Sequence, residues 1–184
     1  MEQRKGDWME TYAGVKFYAL DPRPEDICIE DIAHSLANQC RYAGHVKRFY
    51  SVAQHSVIVS QNLPSHLKLW GLLHDASEAY LVDLPRPSKN GTILGVEYKK
   101  IESVVQTMIY NKFGLFGDEP AMVKEVDNRM IPTERRDLMS GSGYVRKECL
   151  PPLEANINPW NPDTSENVFL CEFFNLMENR WASK

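Results

Sequence analysis

Apolar residues recur at intervals of three or four along most of the chain, the spacing that places them on one face of an α-helix. The predicted helices run from Glu30 to Gln39, from Ser51 to Pro64, from Ser65 to about Leu81, from Val96 to Lys112, from Pro120 onward and from Thr164 or Ser165 onward. Pro132 lies inside the fifth of these patterns. Because proline lacks a backbone N–H, we expect it to kink or split that helix.

The remaining segments carry signals of other structure. Residues 11–20 combine β-branched and aromatic residues around a central Gly14, which predicts a short strand or hairpin. Residues 150–163 are rich in Pro and Asn and are predicted to be irregular. No stretch resembles a linker. We therefore expect one all-α domain over residues 1–184 with a small N-terminal strand element, its core at about 10–140 and a helical C-terminal extension.

Composition narrows the class of protein. The chain has 184 residues, of which 43% are hydrophobic and 25% charged, so it is neither disordered nor fibrous. No apolar run approaches the ~20 residues of a membrane helix, and the N-terminal sequence lacks an apolar signal core. The net charge of −4 argues against a surface that grips nucleic-acid polymers. The four cysteines lack metal-site spacing, which favours reduced thiols and a cytoplasmic protein.

One polar cluster lies inside an apolar pattern. The stretch GLLHDASEAYLVDLP holds His74 and Asp75, followed by Glu78 on the same predicted helical face and by Asp83 just beyond. A simple ion pair near a helix end would explain His74 and Asp75 alone. Four acidic or imidazole groups within ten residues of an apolar helix instead favour a functional site.

Two further residues are candidates on other helices. His55 lies in the preceding predicted helix, and Asp127 lies in the helix that follows Pro120. Taken alone, His55 would be interpreted as a core or surface histidine, and Asp127 as a solvated acid. The helical periodicity does not decide between these interpretations and a shared site.

The ordered set His55, His74-Asp75 and Asp127 resembles the H…HD…D signature of the HD-domain phosphohydrolases. Asp83 and Pro85 follow the HDxxE segment as they do in 5′-deoxynucleotidases. The segments EDIAHSLANQCRYAGHVKRFYSVAQHS and PTERRDL look like those of small phage and prophage HD proteins, and phage dATP triphosphohydrolases share the metal core. The resemblance implies an HD-type helical bundle. One departure is the interval of 19 residues between His55 and His74, which is shorter than in characterised deoxynucleotidases.

The resemblance also implies a metal and its chemistry. His55, His74, Asp75 and Asp127 would hold one divalent ion. Two imidazoles and two carboxylates without a thiolate suit Mn²⁺, Co²⁺, Fe²⁺ or Zn²⁺ and tolerate Mg²⁺. Glu78 is the candidate that orients or deprotonates the attacking water, and Asp83 would assist or protonate the leaving oxygen. The sequence leaves open which acid has which role.

Basic and aromatic residues are candidates for substrate binding. Arg41 and Tyr42 precede His55 where the deoxynucleotidases keep an Arg followed by an aromatic residue; Arg41 would hold phosphate and Tyr42 would crowd the sugar 2′ position. The alternative, in which Arg41 is a surface residue and Tyr42 only packs against its neighbours, is given equal weight. For Lys89, solvent exposure is favoured over phosphate binding. His34 is interpreted as structural, and residues 135–137 (Arg-Arg-Asp) as forming structural ion pairs.

These expectations combine into a function. We expect a phosphohydrolase that cleaves the 5′ phosphoester of 2′-deoxynucleotides by water attack at the α-phosphorus. The monophosphate is slightly favoured because no dense Lys/Arg cluster is visible. The alternatives are a dNTP or dATP triphosphohydrolase that releases tripolyphosphate and a non-catalytic nucleotide-binding HD module. We expect a small-molecule nucleotide as partner, no nucleic acid and no membrane, with homo-oligomerisation left open and a phage or prophage origin suggested by the resemblance.

Overall fold

The computed structural model describes residues 4–141 and 150–182, and over these ranges the chain is mostly helical. The N-terminal hairpin consists of β1 (Met9–Glu10) and β2 (Lys16–Phe17), which pair antiparallel with Met9 opposite Phe17. The helices are α1 (Ile29–Asn38), α2 (Val52–Gln61), α3 (Lys68–Leu73), α4 (Glu78–Leu81), α5 (Arg86–Lys89), α6 (Ile93–Lys112), α7 (Ala121–Leu138) and α8 (Pro162–Ala182). The predicted helical fold with a small N-terminal strand element is thus confirmed. None of the described helices has the length and apolar character needed to cross a membrane.

Helix α2 lies at the centre of the bundle. Residues 51–60 are all buried, and α1, α3, α7 and α8 pack against this helix. Ser51 caps its N-terminus by accepting a hydrogen bond from the Gln54 amide at 3.1 Å. Because α2 is enclosed on all sides, a polar side chain on it needs a partner inside the protein. His55 is such a side chain and is fully buried.

The helix predicted from Ser65 to about Leu81 is interrupted, so that prediction is wrong. Helix α3 ends at Leu73 and α4 begins at Glu78. The backbone between them forms turns whose hydrogen bonds join residues three apart, such as Glu78 N to Asp75 O at 3.0 Å. Gln106 of α6 stabilises the break. Its side-chain amide donates to the Leu73 carbonyl at 2.7 Å and accepts from the Ser77 amide at 2.9 Å. His74 and Asp75 therefore lie in a turn.

Helix α7 continues through Pro132, so the predicted split does not occur. The turn after the proline contains Thr133 and Glu134, both fully buried. Their interactions hold the chain in the helical path: the Thr133 hydroxyl donates to the Arg129 carbonyl at 2.7 Å and accepts from the Leu153 amide at 2.8 Å. An uninterrupted helix keeps Asp127 and Glu134, two turns apart, on the same face.

The C-terminal part agrees with the prediction except at one cap. Residues 150–161 lack regular structure, as predicted. Helix α8 begins at Pro162, and the Asn161 side chain accepts from the Thr164 amide at 2.8 Å, so Asn161 is the cap in place of Thr164 or Ser165. Phe169 and Phe173 bury α8 against the bundle. Cys28, Cys40 and Cys171 are free thiols, and Cys149 lies outside the described residues.

Gly95 sets the close contact between α5 and α6. A Cβ at this position would lie 2.1 Å from the Lys89 carbonyl oxygen, which is backbone and cannot rotate away. Gly→Ala in a helix ordinarily adds about 1 kcal/mol of stability. We expect Gly95→Ala to lower the free energy of unfolding by about 1–3 kcal/mol instead, because α5 must move. Urea unfolding measures this, with Val96→Ala, at an exposed neighbouring position, as the control. An unchanged or raised stability would contradict the contact.

Candidate metal centre and its cavity

The four predicted metal ligands converge on one point. His55 comes from α2, His74 and Asp75 from the turn between α3 and α4, and Asp127 from α7. The Nε2 atoms of His55 and His74 are 3.3 Å apart. Asp75 Oδ2 lies 3.2 Å from His74 Nε2, and Asp127 Oδ1 lies 3.4 Å from His55 Nε2. Neighbouring ligands of one ion at ~2.1 Å lie roughly 3.0–3.4 Å apart, which these three distances match. The ligand atoms of His55, His74 and Asp75 all lie within 4.8 Å of one another and could hold a metal ion, and Asp127 Oδ1 lies beside this group, 3.9 Å from His74 Nε2.

Each imidazole is fixed from its far side. His74 Nδ1 is 2.8 Å from the Gly71 carbonyl oxygen, which can only accept, so Nδ1 carries the proton. His55 Nδ1 donates to Glu134 Oε1 at 2.7 Å. In the neutral form of both rings, each Nε2 then offers a lone pair toward the centre. This arrangement is typical of histidines that bind metals.

The centre therefore brings several hydrogen-bond acceptors together. Two Nε2 lone pairs and the oxygens of Asp75 and Asp127 face one another, and only a cation or a proton relieves their repulsion. Burial opposes a charge on His74, but the two carboxylates raise the pKa of His74 well above its ordinary value. A bound divalent ion would take the place of that proton.

Glu134 was not predicted as a site residue, yet it supports the centre. Its fully buried carboxylate accepts from His55, accepts from the Tyr42 hydroxyl and pairs with Arg41 Nε at 3.3 Å. Burial opposes its ionisation, but Arg41 and His55 hold the pKa of Glu134 below its ordinary value. The signal in the sequence was the interval of seven residues from Asp127, which places both acids on one face of α7.

The two predicted catalytic acids lie beside the centre. Glu78 is 4% exposed; its Oε1 pairs with Lys89 Nζ at 3.1 Å, and its Oε2 has no hydrogen-bond partner within the described ranges. Burial, with the nearby charges of Asp75 and Asp83, raises the pKa of Glu78 well above its ordinary value. Asp83 lines the same cavity, and its backbone amide is held by Gln39 at 3.0 Å.

Lys89 is not solvent-exposed, so the favoured interpretation of this residue is wrong. Its side chain is 14% exposed and its ammonium group lies between Glu78 and Glu102, at 3.1 and 2.7 Å. The tertiary contact of α5 with α6 produces this burial. Lys89 compensates the charge of Glu78 and lines the cavity.

Arg41 and Tyr42 also line the cavity, but both are engaged by carboxylates. Arg41 Nη1 lies 3.5 Å from Asp75 Oδ2, and Tyr42 is tied to Glu134 through its hydroxyl. Tyr42 and Ala43 have φ angles of 59° and 51°, the left-handed region that side chains other than Gly adopt rarely. Val82, just before Asp83, has a φ of 86°. Strained backbone thus flanks the centre on two sides, as is common at functional sites.

The cavity at the centre has a volume of about 1330 Å³ and a mixed charge. Among the described residues, seven Lys and Arg side chains line it: Arg41, Arg86, Lys89, Lys99, Lys124, Arg135 and Arg136. The sequence shows no dense Lys/Arg cluster, but the fold brings these basic side chains to one cavity. These residues come from separate parts of the sequence, so the cluster forms only in the folded chain.

Four of these basic residues have distinct environments. Arg86 and Lys124 contact the outer oxygen of Asp127, Oδ2, at 3.0 and 2.7 Å, next to the metal centre. Arg135 is half-buried, and its side chain makes no ion pair or hydrogen bond with any described residue, so its predicted structural ion pair is absent there. Arg136 does pair with Asp137 at 2.7 Å, as predicted. His34, interpreted as structural, lies 2.9 Å from Glu166 through Nδ1.

Comparison with known proteins gives a family but no activity. No protein-family model matches the chain. It is 40% identical to the uncharacterized protein YfdR of Escherichia coli K12 over 176 residues, which cover 94% of this chain and 97% of YfdR. It is 35% identical to an uncharacterized protein of Rhodobacter capsulatus over 129 residues, 65% of each chain. The chain belongs to the same family as YfdR.

Glu134 should stabilise the metal-free protein by a buried charge network. We expect Glu134→Gln to lower the free energy of unfolding by about 3 kcal/mol at pH 7, because Arg41 and His55 lose their anionic partner. The difference should shrink as the pH falls below the ordinary Glu value of ~4.3, since the depressed pKa of Glu134 adds stability only while the group is ionised. Urea unfolding at several pH values measures this. Glu125→Gln, an exposed acid on the same helix, is the control.

Proposed function

We propose that this protein is a metal-dependent phosphohydrolase of the HD type, which cleaves the 5′ phosphoester of 2′-deoxynucleotides and releases the deoxynucleoside. The observation that carries the proposal is the inward-facing set of two imidazole Nε2 atoms and two carboxylate oxygens, each imidazole fixed through Nδ1. This set lies at a large cavity lined by basic side chains. A divalent ion there would supply Lewis-acid polarisation of phosphate and activation of water.

Glu78 is the residue we assign to the attacking water. Its Oε2 lacks a partner among the residues that the structure describes, while Lys89 holds Oε1, so one carboxylate oxygen is oriented and available. A raised pKa suits a group that must take up a proton near neutral pH. Water attacks the α-phosphorus, Glu78 takes its proton, and the bond from phosphorus to O5′ breaks. Asp83 is the candidate that protonates O5′.

The substrate is anionic, and the cavity supplies the opposite charge. Arg86 and Lys124 lie beside the inner carboxylate of Asp127, where they would contact the oxygens of the reacting phosphate. Arg41 would add a third positive charge near Asp75. The Tyr42 ring is held in place by Glu134, and we assign to it the exclusion of a ribose 2′-hydroxyl.

A second candidate reaction is hydrolysis of a deoxynucleoside triphosphate to tripolyphosphate. It shares the same bond cleavage and requires more positive charge. Arg135 favours it, because its guanidinium lines the cavity and has no anionic partner in the described part of the chain. Arg135 is eight residues from Asp127 on α7, about 12 Å along the helix axis and on the same face. A non-catalytic nucleotide-binding module would not need the available Glu78 oxygen.

Two variants separate metal binding from turnover. We expect Asp75→Ala to lose the divalent ion and activity together, because it removes a ligand oxygen. Glu78→Ala should keep the ion and lower kcat by at least ~100-fold, the size typical of general-base removal. Metal content by calorimetric titration and phosphate release from dAMP with Mn²⁺, Co²⁺ and Mg²⁺ measure both effects. If Glu78→Ala loses its metal or turns over normally, Glu78 does not have this role.

An Arg135 variant tests whether the substrate is a monophosphate or a triphosphate. The wild type is screened for phosphate and tripolyphosphate release over dNMPs, dNTPs, AMP and ATP. If triphosphates are substrates, Arg135→Ala should lower kcat/KM for dATP by about tenfold and leave dAMP nearly unchanged, since one charge-assisted contact is worth ~1.5–3 kcal/mol. Lys100→Ala, an exposed lysine away from the cavity, is the control. Equal losses for dATP and dAMP would contradict a distal phosphate site at Arg135.

A further inference from the structure

A second, smaller cavity lies on the other side of α4 from the metal centre. It has a volume of about 270 Å³ and lies between the N-terminal hairpin, α1 and α4. Its lining includes Glu10, Tyr12, Asp31, His34 and Asn38. None of the described residues that line it is Lys or Arg. Its volume suits one small ring and is below the ~300–1,000 Å³ typical of sites for larger ligands.

Asp31 lines this cavity and has one carboxylate oxygen without a hydrogen-bond partner in the described part of the chain. The residue is 2% exposed, and its Oδ1 accepts from the Ala13 amide at 2.6 Å. Its Oδ2 is buried and has no hydrogen-bond partner among residues 4–141 and 150–182. A buried carboxylate oxygen without a donor is costly, so this oxygen indicates a missing donor.

The cavity also has a flat aromatic wall. The rings of Tyr12 and His34 stack with centroids 3.7 Å apart and an interplanar angle of 8°. Tyr12 is 65% exposed, so its ring lies at the rim of the cavity and is not part of the core. Glu10 adds negative charge at the rim. A planar, positively charged group with N–H donors matches these features.

We propose that this cavity is a second binding site for a planar amidinium or guanidinium group, which donates to Asp31 Oδ2 and lies against Tyr12. The site is separate from the metal centre and does not depend on the proposed reaction.

Helix α1 and the residue that follows it, Gln39, connect this cavity to the segment of the predicted catalytic acids. Ser35 and Gln39 of this region line the cavity. The Ser35 hydroxyl donates to the Ala79 carbonyl at 2.8 Å, and the Gln39 amide donates to the Glu78 carbonyl at 2.9 Å. Gln39 Oε1 in turn accepts from the Asp83 amide at 3.0 Å. We therefore expect a ligand in the cavity to restrain the segment 78–83 through Gln39.

Calorimetric titration of benzamidine into the full chain tests the site, with benzamide and benzoate as uncharged and anionic analogues of the same shape. We expect benzamidine to bind at least tenfold more tightly than benzamide, and benzoate not to bind. Asp31→Asn should weaken benzamidine at least tenfold while keeping the Ala13 contact. Tyr12→Ala, at an exposed position, should weaken it several-fold.

Two controls locate the bound benzamidine. Glu30→Gln, an exposed acid on α1, and Glu102→Gln, an acid of the larger cavity, should leave its affinity unchanged. Absence of binding, equal binding of benzoate, or an unchanged affinity in Asp31→Asn would overturn the proposal. Loss of affinity in Glu102→Gln would instead place benzamidine in the larger cavity and overturn it as well.

Hydrogen exchange of the Asp83 amide tests the connection without any activity measurement. Saturating benzamidine should slow this exchange at least twofold in the wild type and not in Asp31→Asn. An unchanged rate in the wild type, with benzamidine bound, would overturn the connection through Gln39.

Discussion

The hydrogen bond between Glu134 and His55 is the constraint on which the rest of the site depends. Both side chains are fully buried, and their 2.7 Å contact joins α7 to the central helix α2. The same carboxylate engages Arg41 and Tyr42, so the strained turn that carries them is tied to the core. A buried charge of this kind is tolerated because three donors surround it. Its consequence is a fixed His55 ring whose Nε2 faces the other predicted ligands.

The interruption between α3 and α4 has a similar role on the opposite side. A regular helix would have satisfied the backbone of residues 74–77 by itself, but Gln106 of α6 satisfies Leu73 and Ser77 instead. The turn lets His74 donate from Nδ1 to the Gly71 carbonyl and directs Nε2 inward. Helix α6 also contacts α5 near Gly95, and its Glu102 pairs with Lys89. One long helix therefore positions both Lys89 and the turn that contains His74 and Asp75.

The cavity contains two regions of opposite charge. Acids and imidazoles collect at the candidate metal centre, whereas basic residues from several elements line the cavity around it. Asp127 joins the two regions: Oδ1 faces the histidines and Oδ2 faces Arg86 and Lys124. A net charge of −4 for the whole chain conceals this local arrangement. Such separation of charge within one cavity is what binding of a phosphate to a metal site requires.

The sequence by itself determined the helical class and most helix positions, and it predicted the four residues that the fold brings together at the candidate metal centre. Helical periodicity is a local property, and the HD pair with its acids is a short, contiguous pattern. The tertiary structure alone decided the break at residues 74–77, the continuity of α7 through Pro132, the burial of Lys89 and the role of Glu134. Each depends on a contact between distant segments, such as Gln106 with Leu73 or Glu134 with His55. The basic lining of the cavity has the same origin: charges that are dispersed along the chain become neighbours only when the helices pack.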